Sequence, residues 1–160
     1  MSSSDLQNLY QQVILDYSKN PYGVGLLSDA AGQSHQLNPT CGDEITLEVH
    51  LAGEGTEPAE SPADRVIERI RWEGHGCAIS QASASLLTEL AEGLTVHDLQ
   101  VRIDAFRTAM QSRGKVAPDE ELLGDAVALG GVSRYVARVK CAMLGWVAAE
   151  HALTMAETRA

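Results

Sequence analysis

Apolar residues alternate with polar ones from Ile45 to Leu51. This period of two is typical of a strand with one buried face. A shorter strand is predicted near Gln33 to Leu37, and a third strand from Arg65 to Glu73. The third strand is less regular, because Glu68 interrupts an apolar face that is predicted from Val66, Ile70 and Trp72.

Helical periodicity surrounds these strands. Apolar residues at spacings of three and four predict an amphipathic helix over residues 5–18. After the strands, the pattern predicts helices at Ala78–Glu92, from a Thr95–Asp98 cap to about Ser112, and from Ser133 to about residue 156. A short segment around Leu122 and Leu123 connects the last two helices.

Strands followed by helices predict an α+β domain, in which helices cover a small antiparallel β-sheet of about three strands. The 160 residues are predicted to form a single domain. Residues 53–64 are too polar and too rich in Pro and Gly to pack, so a mobile hairpin loop is predicted there. Residues around 95–124 are interpreted as a helical insert.

The charge of the chain excludes some partners. Twelve basic and twenty-two acidic residues leave a net charge of −10, which argues against binding to nucleic acid or to an anionic membrane. No apolar stretch approaches the roughly 20 residues that span a bilayer, and the N-terminus lacks the features of a secretory signal. A reducing cytoplasm is therefore the predicted location, where cysteines more often bind metal or react than form structural disulfides.

The first of three cysteines lies in a turn-rich segment, Asn-Pro-Thr-Cys-Gly-Asp at residues 38–43. Pro39 stiffens the approach to Cys41, and Gly42 removes a side chain that would screen the thiol. Asp43 is close enough along the chain for its carboxylate to share a metal with Cys41. A polar turn with a solvated Asp43 explains the segment equally well.

The second cysteine, Cys77, follows Gly-His-Gly at residues 74–76 and opens a predicted helix of small residues. The helix dipole and the unpaired N–H groups of a first turn stabilise a thiolate. His75 could complete a Cys₃His metal site, although a lone histidine is more often a turn residue. A small residue in a tight turn is the simpler interpretation of Cys77, but it does not explain the choice of cysteine.

The third cysteine, Cys141, lies on the last predicted helix, one turn after Arg138. Three thiolates and one carboxylate around a divalent metal would carry a net charge of about −2. Arg138 and Lys140 could offset this charge, and an ordinary basic helix face is the alternative. From the residues alone, the three cysteines could bind metal, carry sulfur or be inert.

Together these segments resemble the SufU/IscU (NifU N-terminal-like) family, the scaffold and sulfur-relay proteins of iron–sulfur cluster assembly. The resemblance covers nearly the whole chain and includes residues 9–16, 19–21, 38–43, 74–77, 80–83 and 138–141. Scaffolds of the IscU branch have a histidine immediately before the third cysteine, where this chain has Lys140. The SufU branch has a longer insert between the second and third cysteines, and 63 residues intervene here. The chain therefore resembles the SufU branch.

This resemblance implies a zinc site formed by Cys41, Asp43, Cys77 and Cys141. It also implies sulfur transfer from a SufS-type cysteine desulfurase to Cys41, with a partner side chain replacing Cys41 on zinc and with Suf scaffold proteins downstream. Arg138 would steady the released thiolate or the partner contact. The alternatives are a scaffold that assembles a [2Fe–2S] cluster on the same ligands, with transient iron, and a purely structural zinc domain.

Overall fold

The computed structural model describes residues 3–39, 42–52 and 61–159 of the chain. Its sheet has three antiparallel strands in the order β1, β2, β3, which are Gly32–Asn38, Asp43–Leu51 and Ile67–His75. The described helices are α1 (Ser3–Lys19), α2 (Ala78–Ala91), α3 (Val96–Gln111), α4 (Glu120–Leu123) and α5 (Val136–Arg159). The α+β class and the three-stranded antiparallel sheet predicted from the sequence are confirmed.

One apolar core lies between the sheet and the helices. Helix α5 packs across β1 and β2, and α2 packs against both α5 and β3. Gly32 permits the closest of these contacts, because a Cβ atom at this position would collide with the backbone carbonyl of Ala152 in α5. A side chain on Gly32 would therefore push the helix off the sheet.

A hydrogen-bonded aromatic pair joins the helices within this core. The rings of Phe106 and Trp146 stack with centroids 4.0 Å apart. The indole Nε1 of Trp146 donates to Ser83 Oγ at 2.8 Å, and the Ser83 hydroxyl donates to the Ala142 carbonyl at 2.6 Å. Truncating a ring of this size to alanine typically costs about 3–5 kcal/mol. The pair thus fixes α2, α3 and α5 relative to one another.

Most predicted helices agree with the structure. The cap of α3 is confirmed, because the Thr95 side chain accepts a hydrogen bond from the Asp98 backbone N–H at 3.0 Å. The last helix begins at Val136 rather than at Ser133. The prediction was wrong there because Gly124–Arg134 form a 3-10 helix, in which the buried Ser133 hydroxyl donates to the Gly130 carbonyl.

The third strand, predicted from Arg65 to Glu73, lies two residues later, and its predicted apolar face is confirmed at Ile70 and Trp72 but wrong at Val66. Val66 is 41% exposed, and Ile67 is the residue that joins Ile70 and Trp72 in the core. Leu51 pairs with Ile67 while His50 pairs with Arg69, so Glu68 has no counterpart in β2. Such a bulge adds one residue to a strand and moves the following side chains to the opposite face. This bulge explains why Glu68 interrupts the apolar alternation in the sequence.

The predicted hairpin loop at 53–64 falls mostly on residues 53–60, which lie outside the described residues. Pro62–Asp64 form a short 3-10 turn, and the Ser61 side chain accepts a hydrogen bond at its start. Among the described residues, no helix is both long and apolar enough to cross a membrane.

A buried carboxylate holds the loop that precedes β1. Glu48 is 3% exposed, and it accepts hydrogen bonds from the backbone N–H groups of Leu27 and Ser28 at 2.8 and 3.1 Å. Burial alone raises the pKa of Glu48, but these N–H groups and His50 outweigh it, so the pKa lies below its usual value. The ionised form of Glu48 therefore stabilises the folded state.

Glu48→Gln is expected to destabilise the protein by about 1–3 kcal/mol at neutral pH, because an amide cannot accept the same set of hydrogen bonds. A folded-state pKa below the unfolded value of about 4.3 gives a stabilisation that is present above that pH and is lost as the pH falls through the folded pKa. Urea unfolding of both proteins across this range measures the difference, which should shrink in acid. The exposed Glu68→Gln serves as control, and a pH-independent difference would contradict this account.

Candidate metal centre

Three side chains that lie far apart in sequence meet at one end of the sheet. They are Asp43 at the start of β2, Cys77 at the start of α2 and Cys141 in α5. One ligand atom from each lies within 4.8 Å of the others. Asp43 and Cys141 are buried, and Cys77 is partly exposed. The cluster therefore has a buried base and one accessible side.

The β1–β2 hairpin positions Asp43. Asn38 pairs with Asp43 as the last pair of the ladder, and the Gly42 N–H donates to the Asn38 carbonyl at 2.8 Å. Gly42 has a φ of +74°, a left-handed conformation that favours glycine. This closed turn directs Asp43 inward, where it is only 2% exposed.

The start of α2 brings Cys77 to Asp43. The backbone N–H of Cys77 donates to Asp43 Oδ1 at 3.2 Å, and Cys77 Sγ lies 3.9 Å from Asp43 Oδ2. Cys77 is the N-cap residue of α2. The Ser80 hydroxyl closes this first turn by donating to the Cys77 carbonyl at 2.9 Å.

Gly76 provides the space in which Asp43 reaches Cys77. A Cβ atom at Gly76 would collide with Ser80 Oγ and would lie 2.6 Å from Asp43 Oδ1. The φ of Gly76 is not in the left-handed region, so backbone conformation does not require glycine at this position. The close contact with the Asp43 carboxylate does.

Close packing of α2 on α5 brings Cys141 to the cluster. A Cβ atom at Gly145 would already be in van der Waals contact with Ala84, at 3.4 Å. One residue after Cys141, the Ala142 carbonyl accepts the hydrogen bond from Ser83. Cys141 is 1% exposed as a result.

The donor set fits a zinc-like cation. A tetrahedral ion with Zn–S of about 2.3 Å and Zn–O of about 2.0–2.2 Å separates its donors by roughly 3.5–3.8 Å, so the three donors need only small side-chain rotations. Among the described residues, no basic side chain forms an ion pair with the buried Asp43 carboxylate. Since a buried charge requires compensation, a cation at this position would supply it.

The other predicted site residues have different outcomes. Cys41 lies outside the described residues, so its role as a ligand stays a prediction. Arg138 is exposed in the first turn of α5, and its guanidinium makes no hydrogen bond or ion pair within the described part of the chain. Its predicted role is untested. His75 is the exposed last residue of β3, and it is not part of the described donor cluster.

The sequence interpretation missed one residue that supports the site. Ser83 was included in a run of small residues and in the 80–83 family motif without a role of its own, yet it joins Trp146 to the backbone beside Cys141. A buried serine in a helix of small residues was the available signal. Its two partners lie about 60 residues away in sequence, at separations of 59 and 63, so no local pattern identifies them.

Gly76→Ala is expected to weaken zinc binding by about 10- to 100-fold, the range for residues that orient metal ligands. The added methyl group would displace the Asp43 carboxylate. Competition with a chromophoric chelator measures the affinity, and Gly131→Ala is the matched control because its Cβ would meet no described residue within 4 Å. Equal affinities of the two variants would show that Gly76 does not set the position of Asp43.

Solved structures support the same architecture. A SUF-system iron–sulfur cluster assembly scaffold protein from Fervidobacterium islandicum AW-1 matches with a TM-score of 0.70 and 32% identity, covering 95% of this chain and 99% of that one. An N-terminal NifU-like protein from Brucella abortus matches with a TM-score of 0.77, covering 96% of this chain and 98% of that one, and at 22% identity this likeness concerns the fold alone.

Sequence comparison extends over nearly the whole chain. It is 39% identical over 155 residues to the zinc-dependent sulfurtransferase SufU of Bacillus subtilis (strain 168), covering 97% of this chain and 96% of that protein. It is 35% identical over 153 residues to the iron–sulfur cluster assembly scaffold protein IscU of Streptococcus pyogenes serotype M1, covering 96% and 87%. The family model of the NifU-like N terminal domain matches residues 9–142. The protein therefore belongs to the NifU-like N-terminal domain family, as its three cysteine motifs predict.

Proposed function

We propose that this protein is a zinc-dependent sulfurtransferase that accepts persulfide sulfur from a SufS-type cysteine desulfurase for iron–sulfur cluster assembly. The observation that carries the proposal is the convergence of Asp43, Cys77 and Cys141, with ligand atoms within 4.8 Å of one another. The likeness to a zinc-dependent sulfurtransferase over 97% of the chain supports it. A reducing cytoplasm is the compartment that keeps such thiols available.

Asp43, Cys77 and Cys141 are the proposed standing ligands, and Cys41 is the proposed fourth. A bound zinc ion would act as a Lewis acid without redox chemistry and would keep the thiols ionised. Cys41 precedes Asp43 by only two residues, so the chain cannot carry it more than about 7 Å, Cα to Cα, from that ligand.

Access separates the cysteines by role. Cys141 is 1% exposed, so a partner's persulfide cannot reach it without unfolding of α5. Cys41 is adjacent in sequence to Gly42, which is exposed and whose Cβ position has no neighbour within 4 Å among the described residues. The hairpin therefore leaves room for a partner at the residue beside Cys41, and we assign sulfur acceptance to Cys41.

The transfer is a thiolate–persulfide exchange. The Cys41 thiolate attacks the outer sulfur of the donor persulfide, and a new S–S bond forms on Cys41. The S–S bond of the donor breaks, and its electron pair leaves on the donor cysteine as a thiolate. No proton or external electron is required, because both the attacking and the leaving groups are thiolates.

A scaffold function is the second candidate, because a relative at 35% identity is an iron–sulfur cluster assembly scaffold protein. Cysteine thiolates also bind [2Fe–2S] clusters. The residue immediately before the third cysteine argues against this alternative. The resemblance to IscU-type scaffolds implies a histidine there, whereas this chain has Lys140. Purified protein with one stoichiometric zinc that resists exchange for iron favours the relay, whereas a coloured cluster that passes to an apo-protein favours the scaffold.

Cys41→Ala is expected to abolish persulfide acceptance and stimulation of the desulfurase, because the attacking thiolate is removed. A coupled assay of sulfide or alanine release, with intact-mass detection of the persulfide, measures both. Cys77→Ser provides the contrast, since it should also lose the metal. Full stimulation by Cys41→Ala would refute the assignment.

Arg138→Ala is expected to lower the rate of sulfur acceptance by about tenfold, the loss of one charge-assisted contact of about 1.4 kcal/mol. Zinc content should not change, because Arg138 is exposed and is not a proposed ligand. Lys140→Ala, an exposed basic residue on the same helix, is the matched control. Equal effects of the two substitutions would show that Arg138 contributes only to the positive charge of the helix and has no specific role in sulfur acceptance.

A further inference from the structure

An open apolar groove of about 580 Å³ lies beside the metal centre. Helix α1 forms one wall with Leu6, Tyr10 and Ile14. The opposite wall is formed by the segment before α4, the 3-10 helix and the first turn of α5. Volumes in this range accommodate a few side chains or a small ligand.

The rim of this groove is exposed rather than enclosed. Leu6 is 39% exposed, Val116 46% and Tyr135 66%. Single exposed apolar residues are ordinary, but apolar side chains that are contiguous around one groove mark an interaction site. A free lipid or small apolar ligand would require a cavity that buries most of its surface. The openness of the rim therefore favours a segment of another protein.

The charge of the groove is opposite to that of the chain. The protein has twenty-two acidic residues, yet none of those in the described part of the chain lines the groove, whereas Arg134 and Arg138 do. Neither guanidinium forms an ion pair within the described part of the chain. Gly114 lets the side chain of Arg134 lie across the groove wall, since a Cβ there would come within 3.0 Å of Arg134 Cγ.

We propose that this groove docks a short segment of a partner protein in which apolar side chains lie next to carboxylates. The apolar walls would bury the side chains, as in the binding of amphipathic helices by grooves. Arg134 and Arg138 would bind the carboxylates, for which the planar guanidinium is suited. A basic segment would be repelled by both arginines, so the charge of the groove also discriminates against basic partner segments.

Two residues of the groove are close in sequence to donors of the candidate metal centre, but none of the three donors lines the groove. Ile79 lines the groove two residues after Cys77, and Arg138 lines it three residues before Cys141. A segment in the groove would therefore hold its parent protein next to the metal site without covering the donors. The proposal concerns binding alone, and it depends neither on the metal nor on sulfur transfer.

The test is selection of short random peptides displayed on phage against the intact, folded protein. Enriched peptides should combine apolar residues with Asp or Glu. Their affinity should fall about tenfold or more with Val116→Ser or with Arg134→Glu, as expected for a central interface residue. When the Arg134→Glu variant is used as the target, a smaller fraction of the enriched peptides should contain Asp or Glu.

The controls match these changes outside the groove. Val101 on α3 is 40% exposed and does not line the groove, so Val101→Ser should bind as the unchanged protein does. Lys19→Glu, at the exposed end of α1, controls for the change in charge. Thermal unfolding confirms that each variant is folded, and Arg134→Glu keeps the test valid should Val116→Ser fail to fold.

Three outcomes would overturn the proposal. The first is a selection that enriches no peptides, or peptides without acidic residues. The second is equal loss of binding in the groove variants and in their controls. The third is a concentration-dependent dimer that Val116→Ser abolishes, because the occupant would then be a second copy of this chain.

Discussion

The contact between α2 and α5 is the constraint on which the metal centre depends. Cys77 opens one of these helices and Cys141 lies in the other, so the distance between the helices decides whether the thiols meet. Gly145 faces Ala84 across this contact, and the hydrogen bonds of Ser83 with Trp146 and Ala142 fix the position of α2 along α5. Since the donors and acceptors are buried, loss of one partner leaves another unsatisfied, which is costly.

The β1–β2 hairpin carries the other two proposed ligands. Asp43 is buried and hydrogen-bonded to the first turn of α2, whereas Gly42 beside it is exposed. A firm base with an accessible edge would suit the proposed sulfur relay, in which a bound metal would stay while one thiol meets a partner. The acidic character of the chain is interrupted near this edge by Arg134 and Arg138.

Local patterns predicted the elements where a single periodicity dominates. The alternation from Ile45 to Leu51 and the Thr95 cap appear in the structure as expected. The third strand was misplaced because its bulge at Glu68 breaks the period of two, and the pairing that creates the bulge involves residues of another strand. The start of α5 was misplaced because a 3-10 helix satisfies Ser133 before the α-helix begins.

The sequence by itself determined which residues could form the site, since thiols and a carboxylate in three distinct motifs identify the family and supply the candidate ligands. It also determined the α+β class, because periodicity follows from short-range backbone geometry. Only the tertiary structure decided that Asp43, Cys77 and Cys141 meet, that Cys141 is inaccessible, and that an arginine-lined apolar groove lies beside them. These properties arise from packing between segments that are distant in sequence. Cys77 and Cys141 follow Asp43 by 34 and 98 residues, for example, and no local pattern encodes such contacts.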